Sequence, residues 1–177
     1  MAGDVVEIRI RPLELGDAEE LAELLQRNDE TLAESRADAP RLPPTVEGQR
    51  ERLAQVERER EAGSRYSWGI LEDGVLVGTI GLVHIHRGPM QSANVGYWVD
   101  RARSGRGIAT AALRQVVERS FWELGLHRLE AVTLPENRAS QRVLEKNGFE
   151  RIGLSRGYLL IDGVWRDHVL FQRTADD

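Results

Sequence analysis

A chain of 177 residues is long enough for one domain with a substantial core, and a single domain over 1–177 is expected. With 41% hydrophobic and 30% charged residues it has the composition of an ordinary globular protein rather than a disordered one, and its net charge of −5 argues against a dedicated nucleic-acid binder. The absence of cysteine excludes a disulfide framework, a thiolate zinc site and a cysteine nucleophile, and four scattered histidines offer no HExxH spacing for a metal.

The opening MAGDVVEIRIRP carries no signal-peptide run, and no apolar stretch nears membrane length, so a cytoplasmic protein without membrane contact is expected. Residues 5–13 alternate as a strand that Pro12 ends. Asp17 and Glu20 have capping-box spacing before a helix carrying Leu21, Leu24 and Leu25. Residues 37–44, ADAPRLPP, form a proline-broken loop. A charged helix at about 46–62 follows, with Leu53 and Val56 to bury. Three strands come next: RYSWGILEDG, turning at Asp73-Gly74; VLVGTIGLVHIH; and NVGYWVD at 94–100. Their short connections predict an antiparallel meander.

From Ile108 the positions 112, 113, 116, 117, 120, 121 and 124 make one helical face, closed by Gly125. RLEAVTL at 128–134 is a strand, and 137–149 is a short helix stopped at Asn147-Gly148, with Val143 and Leu144 inward. RIGLSRGYLLI and VWRDHVLFQR form a hairpin across Asp162-Gly163. Strands either side of the long helix can lie parallel through a right-handed crossover while the rest pair antiparallel, which gives a mixed α/β sheet.

Residues 103–121 read RSGRGIATAALRQVVERSF. One glycine would serve a tight strand-to-helix turn. Two, set among Arg101, Arg103 and Arg106 where a helix begins, point to an anion held by bare amides at the positive end of the helix dipole. GxxxxGK[ST] is absent, which argues against a P-loop. GxGxxG fails at its sixth position, Thr110; Glu130 stands near the distance of a ribose-binding acid, but the strand before the loop belongs to a meander, not a Rossmann unit.

The string WVDRARSGRGIATAAL followed by ENRASQRVLEKNGF resembles the Gcn5-related N-acetyltransferases (GNAT), and within them the RimJ/RimL branch that acetylates ribosomal-protein N-termini. Against that family's [QR]xxGx[GA], aligned through Gly107 and Ala109, this chain reads SGRGIA, with Ser104 where Arg or Gln is usual. NxxSxxVxxKxGF is matched through Asn137, Ser140, Val143, Lys146, Gly148 and Phe149. The two motifs stand in family order, and the element order resembles the family fold over nearly the whole chain: a central, mostly antiparallel sheet with a splayed parallel pair, flanked by helices.

The resemblance implies transfer of an acetyl group from acetyl-coenzyme A to an amine, without a metal. The acceptor would be a protein N-terminus or a small molecule; no nucleic-acid partner is expected, and the protein would be a monomer or homodimer. A non-catalytic acyl-CoA sensor is the alternative. The diphosphate would rest on the loop Arg103, Ser104, Gly105, Arg106, Gly107, Ile108, Ala109 and Thr110, with Arg103 or Arg106 supplying charge. Trp98 and Val99 would give backbone hydrogen bonds to the pantetheine arm, Asn137 would bind the same arm, and Ser140 would be the general acid. No base is assigned. Leu159 falls where RimL-like enzymes offer a glutamate, and Glu150, Asp162, Asp167, and His84 with His86 on one strand face, are weaker candidates. Of Tyr97 and Trp98, at most one side chain should line the cleft. Trp68 and Trp165 read as core, and Arg138 and Arg142 could reach the phosphates.

Overall fold

The computed structural model describes residues 6–34, 36–39 and 41–176. The first five residues of the opening segment, Val5 of the first expected strand among them, and Pro40 of the proline-broken loop lie outside them. The order is β1 (Ile8–Pro12), α1 (Ala18–Arg27), α2 (Asp29–Ala33), α3 (Val46–Glu61), β2 (Tyr66–Glu72), β3 (Val75–His86), β4 (Ser92–Val99), α4 (Ile108–Glu118), β5 (Arg128–Thr133), α5 (Arg138–Lys146), β6 (Glu150–Ile161) and β7 (Val164–Thr174). The seven strands form one sheet in the order β1-β2-β3-β4-β5-β7-β6. Only β4 and β5 are parallel. This is the mixed, largely antiparallel sheet that the sequence predicts, with α2 as an unanticipated single turn and a half.

Both Asp-Gly pairs make the expected hairpins. Asp73 and Gly74 have φ of 49° and 84°, and Asp162 and Gly163 have 50° and 71°. Two consecutive left-handed residues match the twist of the flanking strands, and aspartate with glycine adopts that pair at low cost.

Apolar side chains divide between the two faces. Val77, Ile80, Val95, Leu129, Ala131, Val169 and Phe171 meet α4 and α5 residues in the larger cluster. Leu13, Leu76 and Trp98 meet α1 and α3 on the other side. The exposed edge of β1 is occupied by Gln115 of α4, whose amide accepts from Ile10 N–H and donates to Ile8 C=O, so this edge offers less unpaired backbone to another chain.

Several local expectations are corrected. Asp17 does not cap α1 in a box with Glu20. It ends a short 3₁₀ turn, accepts the Glu14 N–H and pairs with Arg11, while Glu20 accepts from Leu76 N–H across the fold. The long helix stops being α-helical at Glu118 and widens into a π turn over Arg119–Glu123. The expected face is kept through that turn, with Ser120 buried against Val116 C=O and Trp122 outside. Trp68 is core as expected, but Trp165 is 65% exposed on β7. His84, at φ 49°, sits in a register shift between Val83 and His86, so the two histidines do not share a regular strand face.

Candidate active site

Pairing between β4 and β5 covers only Ser92 to Asn94 against Arg128 to Glu130. Beyond Asn94 β4 stays on β3, and beyond Glu130 β5 stays on β7. The parallel pair is splayed into a gap, and α4 and α5 begin on either side of its mouth. A cleft of about 1150 Å³ opens there, bordered by Tyr97, Trp98, Val99, the 103–110 loop and the first turns of α5.

The loop is built to present amides. Asp100 and Asn28 fix its entry: Asn28 donates to Asp100 and to Leu24 C=O, and accepts from Arg101 N–H, while Arg27 pairs with Asp100 at 2.8 Å. Burial works against ionising the Asp100 carboxyl. Donors from Arg27, the Ala102 N–H and Asn28 outweigh it together and hold the carboxyl below the usual range. The chain then turns through Gly105 at φ 78° and Gly107 at φ 79°, a left-handed conformation that costs other residues about 1 kcal/mol or more. Nothing lies within 4 Å of where a Cβ would stand on either, so both face open space.

The first backbone bond of α4 runs from Ala111 N–H to Gly107 C=O. Among the described residues, the amides of residues 105–110 find no acceptor. Six consecutive free donors at a helix start are the arrangement that a diphosphate satisfies.

The arginines behave otherwise than expected. Arg103 and Arg106 both pair with the carboxylate of Glu72, which is only 3% exposed at the end of β2. Arg103 still borders the cleft and Arg106 does not, its guanidinium being turned to Glu72. Arg142 and Lys146 of α5 border the cleft, whereas Arg138 is turned to Gln141.

Asn137 caps α5 by accepting from Ser140 N–H at 3.0 Å. That frees the Ser140 hydroxyl, which sits 3.0 Å from the Tyr97 phenol oxygen; Tyr97 also reaches Ser140 C=O at 3.3 Å. Burial pushes the Tyr97 phenol up to about 12, with the Ser140 bond opposing, so it stays protonated. Tyr97 packs toward the α4 and α5 face and Trp98 toward the opposite cluster, as adjacent strand residues must, although both border the cleft. The C-terminal end of α5 is tied to α4 by Asn147, which donates to Thr110 C=O.

A smaller chamber of about 160 Å³ continues into the gap, lined by Tyr97, Thr133, Asn137, Ser140, Leu159 and His168 with apolar neighbours. At its outer side Arg166 pairs with Glu136 at 2.6 Å. Asp38, in the loop before α3, spans the cleft to the β6–β7 turn: its amide donates to Leu160 C=O and its carboxylate accepts from Asp162 and Gly163 N–H. Those donors hold the Asp38 carboxyl below its usual range. Of the acid–base candidates, Leu159 reaches the chamber, Asp162 borders the outer cleft, Asp167 is engaged by Gly157 N–H, and Glu150, His84 and His86 border neither space.

The model of the acetyltransferase (GNAT) domain matches residues 7–150. The chain belongs to the GNAT family. It is 45% identical over 176 residues, 96% of each chain, to the "Probable N-acetyltransferase YjcK" of Bacillus subtilis. It is 30% identical to the [Ribosomal protein uS5]-alanine N-acetyltransferase of Escherichia coli over 132 residues, 73% of this chain and 68% of that one. Among solved structures, the ribosomal-protein-S5-alanine acetyltransferase of Vibrio fischeri superposes with a TM-score of 0.90 at 29% identity, covering 98% of both chains. Mycobacterium smegmatis RimJ, in complex with CoA-disulfide, gives 0.90 at 32% identity over 96% of this chain and 82% of that one.

This GNAT chain is therefore an N-acetyltransferase of RimJ/RimL type, and the sensor alternative falls away. Among the described residues no group of three or more side chains could hold a metal, and no helix is long and apolar enough to cross a membrane. Sequence reading missed His168, Glu136 and the Asp38 clasp. The alternation of residues 164–173 held a signal for the first, since Val169 and Phe171 take one face and His168 the other.

Proposed function

We propose that this chain uses acetyl-coenzyme A to acetylate the α-amine of a protein N-terminus that begins with a small residue. The observation that carries the reading is the row of free amides at 105–110, opening into the same cleft as the Tyr97–Ser140 pair. The residues fit the carrier: bare donors for a diphosphate, Arg142 and Lys146 for its charge, and the unpaired edges of β4 and β5 for an extended amide-bearing arm. The similarity to ribosomal-protein alanine N-acetyltransferases supports a protein acceptor, and the narrow chamber suits a short first side chain.

When bound, the thioester supplies an acyl carbon open to attack by a neutral amine. The loop amides and the start of α4 hold the anionic end and thereby fix how deep the acyl end reaches. Trp98 and Val99 contribute backbone groups to the arm, and Asn137 holds the first turn of α5 in place. The Ser140 hydroxyl gives a proton to the leaving sulfur, and Tyr97, kept protonated by burial, supports it through their shared hydrogen bond.

A panel of Ala- and Ser-initiated peptides, amino acids and polyamines, offered with acetyl-CoA, tests this reading. The protein has no cysteine, so a thiol-reactive dye reports only released coenzyme. Turnover of the peptides with the mass gain on the first residue is expected. Turnover confined to small amines would overturn the α-amine assignment.

A further inference from the structure

The reaction needs a group to take a proton from the acceptor ammonium; no carboxylate lines the smaller chamber, Glu34 and Asp162 border only the wider cleft, and the other carboxylates nearby are engaged elsewhere. Glu136 is paired with Arg166, and Asp38 with the Asp162 and Gly163 amides. Glu72 is held by two arginines, and Asp167 by Gly157. Leu159 brings the chamber no charge at all.

His168 lies on the chamber wall. It is 3% exposed and sits on β7 opposite Ser155. Its Nδ1 stands 3.1 Å from Arg166 C=O, and since a carbonyl only accepts, Nδ1 carries the hydrogen. That fixes the tautomer and leaves Nε2 with its lone pair. Among the described residues Nε2 has no partner, and neither does the buried hydroxyl oxygen of Thr133, which also lines the chamber. Two unmatched polar atoms in a 160 Å³ space mark a place for a polar group.

The position also suits the direction of the reaction. Val169 and Phe171 point to the α4 side, so His168 belongs to the opposite face and reaches the chamber through the splayed gap. Tyr97 and Ser140 stand on the α4 and α5 side. A donor for the leaving sulfur and an acceptor for the incoming amine thus border one chamber from its two faces. The other groups near the imidazole are the Tyr158 ring at 5.5 Å from β6, Asn137 and Ser140 from α5, Thr133 from β5 and Tyr97 from β4. None of these is a carboxylate or a basic side chain.

We propose that His168 Nε2 is the general base of this transferase, an inference that rests on the acetyl-transfer reading above. The acceptor ammonium gives one proton to Nε2, and the freed electron pair forms the bond to the acyl carbon. As the carbon–sulfur bond breaks, the sulfur takes a proton through Ser140, balanced by the second one the nitrogen sheds. His168 then returns its proton to water.

The test uses the full chain labelled with ¹⁵N-histidine, the His168 signals being assigned by their absence in His168→Gln. In the neutral ring the Nδ1–H tautomer is expected, with the bare Nε2 signal moving when an acceptor that the enzyme turns over is added. An Nε2–H tautomer, or a signal indifferent to that acceptor, overturns the proposal. His168→Gln should lower kcat/KM by about 10²–10³-fold, leave acetyl-CoA affinity unchanged and abolish the acid limb of the pH profile. A variant keeping the wild-type rate and limb also overturns it. Should that variant fail to fold, wild-type profiles decide: a limb fixed when the acceptor amine is exchanged supports His168, and one that follows the amine does not. Failure of the α-amine reading is separate and shows as a peptide that is not turned over while a small amine is.

Discussion

The Tyr97 phenol and the Ser140 hydroxyl stand 3.0 Å apart across the mouth of the splayed gap, one from β4 and the other from α5. Because Asn137 already caps the helix, Ser140 is not spent on capping. Ser140→Ala should lower kcat by about 10–100-fold while acetyl-CoA affinity changes little, and Tyr97→Phe should lower it less. The double variant should be no worse than Ser140→Ala, since the two act as one unit. Full additivity in stopped-flow or thiol-release rates would separate them.

The buried phenol has a consequence for stability. An unfolded tyrosine ionises near pH 10, whereas Tyr97 in the fold stays protonated to about 12. In that interval the unfolded chain binds fewer protons, so stability falls as pH rises, by on the order of 2 kcal/mol across the window. Denaturant melts at stepped alkaline pH should show this loss, and Tyr97→Phe should remove that part of it.

Gly107 carries φ 79° at the start of α4, with open space where a side chain would begin. Gly107→Glu would place a carboxylate among the free amides and strain the turn. Loss of acetyl-CoA binding by at least about 100-fold is expected by calorimetry, with the fold retained. Unchanged affinity would remove the loop from the site.

Asn28 holds the entry of that loop from 72 residues away in sequence, through Asp100 and the Arg101 N–H. Asn28→Ala leaves the Arg101 amide unmatched and should cost about 1–3 kcal/mol of stability. Acetyl-CoA affinity should fall by about 10-fold as the loop loosens. Asp100 adds a pH signature: its depressed pKa contributes stability that is present above the ordinary carboxylate range and lost as acid protonates it. Acid melts of Asp100→Asn should lack that portion.

Asp38 clasps the β6–β7 turn through its own amide and both carboxylate oxygens. If the acceptor enters on the side of the cleft that this clasp borders, Asp38→Ala should raise its KM about 3–10-fold and leave acetyl-CoA affinity unaltered. Initial rates at saturating acetyl-CoA measure this directly.

Local chemistry alone settled the strands, both Asp-Gly hairpins, the helix at Ile108 and the amide-rich loop before it, because each depends on residues within a few positions of one another. The capping role of Asn137 was local too. Long-range packing decided the rest. Glu72 claims Arg103 and Arg106 from 31 and 34 residues away, and Asp38 finds the turn at Asp162-Gly163. His168 gains its meaning only where β4 parts from β5, since the chamber beside it is made by strands distant in sequence. Periodicity reports which face a side chain takes; it carries no information on where two strands separate, and that separation makes the site.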